Sequence, residues 1–282
     1  VVNVVVPEPP AAAVRAMLHH PAVRKLSFTG STEVGRILLH EAADQVVNCS
    51  MELGGNAPFI VFDDADIDAA VAGAMIAKMR NGGAACTAAN RFYVAEEICD
   101  DFTARFTAAM AALDLGPGAD PTSTLGSLVS MAERDKVAAR VSGAIDKGAT
   151  AHTGGHVPDR PGAFYPATVL SGVHHGDELI QTEIFGPVAP IITFGPGDDV
   201  VAWANDTEHG LISYVYTGDL ARGITVAERL DAGMVALNRG VASDPAAPFG
   251  GTKQSGLGRE GAADGVLEFL EEKYIALELP QT

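Results

Sequence analysis

Cys86 stands in the stretch "NGGAACTAANR", among residues too small to pack tightly around it. A free cysteine is most often a small buried apolar residue, and Cys49, in an apolar strand-like run, and Cys99, on a helix-like face, fit that reading. Cys86 fits it less well, because Gly82, Gly83, Ala84 and Ala85 leave room beside the thiol. A thiol at the end of an element, near free backbone N–H groups, can be activated as a nucleophile. A second reactive group stands in "SMELGGN", where Glu52 closes an apolar run just before two glycines. A carboxyl buried at a strand end rises in pKa by desolvation, which suits a general base near neutrality. The plainer alternative is a carboxylate that reaches water at the turn.

A third feature is "FTGSTEVG", in which Gly30, Ser31, Thr32, Glu33, Val34 and Gly35 follow a strand-like run and open a helix. Free N–H groups at a helix start suit a phosphate, and glycine lets the backbone come close. The spacing is not that of a dinucleotide fingerprint, and there is no P-loop lysine. By itself it reads more readily as an ordinary turn capped by Ser31.

Several elements must position these groups. "VVNVVV" (1–6), "KLSFTG" and "VVNCSMEL" read as strands, alternating with helices at "AAAVRAMLHHP" and "STEVGRILLHEAADQ". That βαβαβ order predicts a doubly wound parallel sheet. Strands and helices keep alternating afterwards, with one helix over "MAERDKVAARVSGAIDKGA" stopped by Gly148. The final "EKYIALEL" alternates like an edge strand that seeks a partner. The chain has 282 residues, enough for more than one core. Breaks fall at the double glycine near Gly54 and in the loop-rich "PFGGTKQSGLG".

The formal net charge of −17 argues against nucleic acid and anionic membrane surfaces as partners. No apolar run is long enough to span a bilayer. Three cysteines without CxxC spacing suggest neither a disulfide framework nor a metal site, and point to a reducing cytoplasm.

Together "FTGSTEVG", "MELGGNAPFIVFDDADID", "NGGAACTAANR", "EIFGPVAPI" and "PFGGTKQSGLGREG" resemble the NAD(P)-dependent aldehyde dehydrogenases, in that family's order and over nearly the whole chain. The resemblance implies an α/β fold with a partial doubly wound parallel cofactor sheet, an α/β catalytic domain and a C-terminal oligomerisation strand. It divides the chain into 1–55 as the remainder of a dinucleotide-binding domain, 56–250 as the catalytic domain, and 251–282 as the C-terminal loop and strand. It also implies that the upstream half of the cofactor domain is missing.

On the same resemblance Cys86 is the nucleophile and Glu52 the base for the deacylating water. Gly30 to Gly35 lie beside the pyrophosphate, the Leu53 carbonyl orients nicotinamide, and Glu183 and Phe185 hold the nicotinamide ribose and ring. The cofactor is NAD or NADP, with a lean to NADP. The partners are a small aldehyde and further copies of the chain, as a homodimer or homotetramer.

Arg80, six residues before Cys86, and Ser243, six before Phe249, resemble the carboxylate-binding Arg and Ser of the succinate-semialdehyde dehydrogenases. The alternative for Arg80 is a cation at a helix C-terminus. Two other functions stay open. One is a truncated remnant serving as an assembly module. The other is a cofactor-independent thiol esterase.

Overall fold

A computed structural model describes residues 2–279. The strands are β1 (Lys25–Thr29), β2 (Asn48–Glu52), β3 (Ala57–Val61), β4 (Ala89–Ala95), β5 (Thr150–Thr153), β6 (Thr168–Ser171), β7 (Val188–Phe194), β8 (His209–Gly210), β9 (Ile212–Tyr216), β10 (Met234–Leu237), β11 (Thr252–Lys253) and β12 (Gly256–Leu257). The helices are α1 (Pro10–Leu18), α2 (Thr32–Ala43), α3 (Ile67–Met79), α4 (Cys99–Ala111), α5 (Met131–Asp146), α6 (Glu178–Gln181), α7 (Val200–Asn205), α8 (Leu220–Arg229) and α9 (Asp264–Leu267).

The helices start where the local chemistry places their caps. The Ser31 side chain accepts from Val34 N–H at α2, Asp66 from Ala69 N–H at α3, and Ser130 from Glu133 N–H at α5. Helix α5 stops before Gly148, whose φ of 107° is left-handed backbone that glycine adopts at low cost.

The large sheet runs β10-β9-β3-β4-β7-β6-β5 and is parallel except for the β5–β6 pair. Its central strand β4 is buried throughout. Alternation divides that strand between two cores: Phe92 and Val94 join one, Tyr93 and Ala95 the other. Helices α3 and α4 cover the first face, through Ala70, Ala74, Phe102 and Phe106. Helices α5, α7 and α8 cover the second, through Val137, Val141, Val201 and Val226. Sheets of this kind need both faces covered, which explains the near-continuous apolar runs in the sequence.

A smaller sheet has the order β1-β2-β12. Strands β1 and β2 are parallel and joined by α2, while β12 returns from the far end of the chain and pairs antiparallel with β2. Leu53 to Asn56 carry the chain from this sheet into the large one.

Two expected strands are not formed. Residues 2–6 lie exposed without strand pairing, and Val1 lies outside the described residues. The opening therefore supplies no first strand of a βαβαβ unit here. "EKYIALEL" is likewise unpaired, with Tyr274 and Leu277 almost fully exposed. Alternation permits a strand, but a strand exists only where a neighbour accepts its hydrogen bonds. Among the described residues no helix is long and apolar enough to cross a membrane.

Candidate active site

Helix α3 ends at Met79 and gives way to a tight 3-10 turn, Arg80–Gly83. Asn81, Gly82 and Gly83 take left-handed φ values of 51°, 61° and 80°. The Asn81 amide donates to the Ala84 carbonyl at 2.8 Å and steadies the turn. Glycine is required at 83, because a Cβ there would overlap the Gly186 carbonyl oxygen. Cys86 follows, three residues before β4. The Tyr214 hydroxyl donates to the Thr87 carbonyl at 2.8 Å, which fixes the backbone beside the thiol. Burial pushes the Cys86 thiol up in pKa, and Glu183 and Glu52 add to this. The backbone N–H groups of Cys86 and Thr87 pull the other way.

Glu52 ends β2 opposite Gly256 of β12, and its carbonyl accepts from Gly30 N–H at 3.0 Å. Its side chain is 5% exposed, and Oε2 has no hydrogen-bond partner among the described residues. Burial, reinforced by Glu260 and opposed by Arg259, pushes the carboxyl up to about 7. A buried oxygen without a donor is costly, so this carboxyl is poised to take a proton. The Leu53–Asn56 crossing is tied down on both sides. Thr32 Oγ1 accepts from Gly54 N–H at 3.2 Å and donates to the Gln254 carbonyl at 3.2 Å. Ser255 Oγ donates to the Gly54 carbonyl at 2.7 Å. At Gly55 a Cβ would overlap the Cys86 carbonyl oxygen, so the two reactive segments touch backbone to backbone.

A cleft of about 600 Å³ runs from Gly30 and Ser31 past Leu53 and Gly54 to Cys86, and on to Glu183 and Phe185. Glu183 Oε1 accepts from Gly55 N–H at 3.1 Å. Burial raises the Glu183 carboxyl, and the Gly55 N–H, Lys78 and Arg140 oppose the rise. Phe185 keeps a left-handed φ of 55°, uncommon for an aromatic residue, with its ring partly exposed at the cleft. Arg140 holds the turn by donating to the Glu183 carbonyl at 2.6 Å.

The cleft thus brings together Gly30, Ser31, Leu53, Cys86, Glu183 and Phe185. It joins a helix N-terminus, the Cys86 thiol and the Glu183 carboxyl in one cavity. The start of α2 could hold a phosphate, and the Glu183 carboxylate could accept from a hydroxyl group. A Cβ at Gly30 would meet the tip of the half-exposed Phe28 ring and turn it aside.

Other predicted residues sit outside the cleft wall. Glu52 lies behind Leu53, close enough to raise the Cys86 thiol. Thr32 is occupied with Gly54, and Gly35 is buried against the Leu53 side chain. Glu33 and Val34 face outward. Glu133, Lys136 and Arg140 of α5 line the cleft and were not anticipated. Their i, i+3, i+7 spacing, which puts them on one helix face, was the available signal.

Arg80 is exposed and has no hydrogen-bond or ion-pair partner among the described residues. Its charge acts on the Tyr214 hydroxyl, which is itself bonded one residue from Cys86. Ser243 is exposed on the loop after β10. That loop packs on α3, where Gly240 lies against Gly73 and Ile76, and Ala242 joins the core with Met75 and Met79. No group of three or more metal-ligating side chains occurs among the described residues.

The aldehyde dehydrogenase family matches residues 1–275. The succinate-semialdehyde dehydrogenase of Paenarthrobacter nicotinovorans is 50% identical over 99% of this chain and 62% of its own length. The glutarate-semialdehyde dehydrogenase of Pseudomonas aeruginosa is 48% identical, over 92% of this chain and 53% of its own. The crystal structure of an E. coli NADP-dependent enzyme superposes with a TM-score of 0.93 at 45% identity, covering 96% of this chain and 56% of that one. The chain therefore spans little more than half the length of such relatives.

Proposed function

The chain belongs to the aldehyde dehydrogenase family, and from that premise we propose that it carries the catalytic chemistry of an NAD(P)-dependent semialdehyde dehydrogenase, with succinate semialdehyde as substrate. The observation that carries this reading is an open thiol, Cys86, in a cleft that also holds a helix N-terminus, with a buried carboxyl poised near neutrality, Glu52, close enough behind its wall to raise that thiol. Residues 1–55 and 56–250 would form the cofactor and catalytic domains, and 251–282 the segment that joins copies.

Cys86 gives its proton to solvent water, and its sulfur attacks the aldehyde carbon. A C–S bond forms, and the carbonyl pair moves onto oxygen, which the Cys86 N–H can hold. NAD(P)+, when bound, supplies the hydride acceptor. The acyl group then remains on Cys86 as a thioester. Glu52 deprotonates a water that attacks this thioester, releasing the acid and returning the thiol. Leu53, Glu183 and Phe185 orient the nicotinamide end, and Gly30 and Ser31 receive the pyrophosphate. NADP is favoured because the superposable E. coli enzyme is NADP-dependent.

Arg80 supports the choice of substrate. An exposed, unpartnered guanidinium beside the nucleophile's loop suits a distal carboxylate, and Ser243 can add a hydroxyl donor. The exposed Tyr274, Ile275, Leu277 and Leu279 support a homo-oligomer, dimer or tetramer, as the state in which this segment is covered. Free thiols at all three cysteines suit a reducing cytoplasm. The test is to follow NAD(P)H formation and ester hydrolysis side by side, with succinate semialdehyde, glutarate semialdehyde and an uncharged aldehyde. Reduced cofactor formed fastest with succinate semialdehyde supports the reading. Ester hydrolysis without any NAD(P)H would make the protein a thiol esterase, and silence in both assays would make it an assembly module.

A further inference from the structure

Lys78 lies in the last turn of α3 and is completely buried. Its Nζ donates to Asn90 Oδ1 at 3.1 Å, and Asn90 is also buried. This is the only hydrogen bond the ammonium makes among the described residues. The arrangement is costly: burial pushes the ammonium down to about 7, with the Glu183 carboxylate opposing. Packing alone does not call for it, since Ala74 and Ala77 fill the neighbouring turns of the same buried face.

The position of the bond gives it a purpose. Lys78 and Asn90 stand at the two ends of residues 79–89, the loop that presents Cys86. Three successive left-handed residues lie inside this loop, and since Gly82 and Gly83 adopt such backbone at low cost, contacts with its surroundings must fix the loop's course. Gly186 and Gly55 press on the loop at Gly83 and Cys86, and Tyr214 holds Thr87. The Lys78–Asn90 bond closes its base.

We propose that Lys78 is a positioning residue, whose buried hydrogen bond to Asn90 fixes both ends of the Cys86 loop and so aims the thiol. The proposal rests on Cys86 being the nucleophile. Without the tie, the N–H groups of Cys86 and Thr87 lose their alignment on the sulfur.

The test compares K78M, N90L and the double variant K78M/N90L in the intact enzyme. Each single variant strands a buried polar partner and lowers Tm. The double variant leaves an apolar pair and recovers most of that loss. K78M and the double variant should both lose on the order of 100-fold in kcat, as misplacement of a reacting group by an ångström does. The aldehyde KM should change little. Alkylation of Cys86 by iodoacetamide, located by mass spectrometry, should slow roughly 5- to 10-fold near neutral pH as the thiol rises. A double variant that recovers kcat along with Tm would overturn the proposal, as would unchanged or faster alkylation of Cys86. If K78M does not fold, the double variant decides alone. Alkylation needs no dehydrogenase activity. A wild-type enzyme that makes no NAD(P)H therefore counts against the dehydrogenase reading, while the alkylation comparison still decides the role of Lys78.

Discussion

Replacing Glu52 by Gln removes the base and keeps the shape. With the carboxyl at about 7, it is about one-tenth ionised at pH 6 and about nine-tenths at pH 8. Wild-type turnover limited by deacylation should therefore rise about tenfold across that range. In Glu52→Gln that dependence should vanish, and turnover should fall by 10²- to 10⁴-fold, the usual contribution of a positioned base. Stability should move the opposite way. The folded carboxyl lies above its ordinary value of 4.5, so the folded state holds its proton more tightly than the unfolded chain. Its stability is full below about 4.5, declines as pH rises, and levels off above about 7, with a loss of about 3 kcal/mol. Glutamine carries no such loss. The variant should thus match the wild type in acid and exceed it above pH 8 by several degrees in Tm, at about 2–4 °C per kcal/mol for a chain of this size. Stopped-flow mixing with aldehyde and NAD(P)+ separates the chemical steps. The burst of reduced cofactor should persist in Glu52→Gln while steady turnover collapses. Equal loss of burst and turnover, or a pH-independent wild-type Tm difference, would refute the assignment of Glu52 as a buried deacylation base.

Cys86→Ala should abolish both dehydrogenase and ester hydrolysis, and Cys49→Ala should leave both intact, checked by the same two assays. Arg80→Ala should cost succinate semialdehyde about 10- to 150-fold in kcat/KM, from a charge-assisted bond of about 1.5–3 kcal/mol, while an uncharged aldehyde of similar length changes little. Ser243→Ala removes a weaker donor and should cost about 2- to 10-fold on the same substrate. Gly55→Ala should displace the Cys86 backbone, because the added Cβ overlaps its carbonyl oxygen, and lower kcat by on the order of 100-fold. Titrating bound cofactor in parallel would show whether that loss lies in the chemical step.

Local chemistry made much of this protein legible in its residues. Ser31, Asp66 and Ser130 are short polar side chains placed to cap, and each opens a helix. The strand-like runs "KLSFTG" and "VVNCSMEL" became β1 and β2. The open setting of Cys86 and the position of Glu52 before two glycines were visible as well, because both depend on neighbours in sequence. The same periodicity misled at residues 2–6, where no partner strand receives the backbone among the described residues, while "EKYIALEL" stays unpaired within one copy of the chain. Other features exist only in three dimensions. Glu183 meets Gly55 across 128 positions, and Ser255 meets Gly54 across 201. Lysine is ordinarily an exposed residue, and nothing beside Lys78 in sequence announces its complete burial. The orphaned oxygen of Glu52 follows from β12 folding back onto β2. Caps and alternation are decided within a few residues by backbone geometry. Burial, desolvation and the meeting of Cys86 with Glu52 and Glu183 are decided by which distant segments the two cores bring into contact.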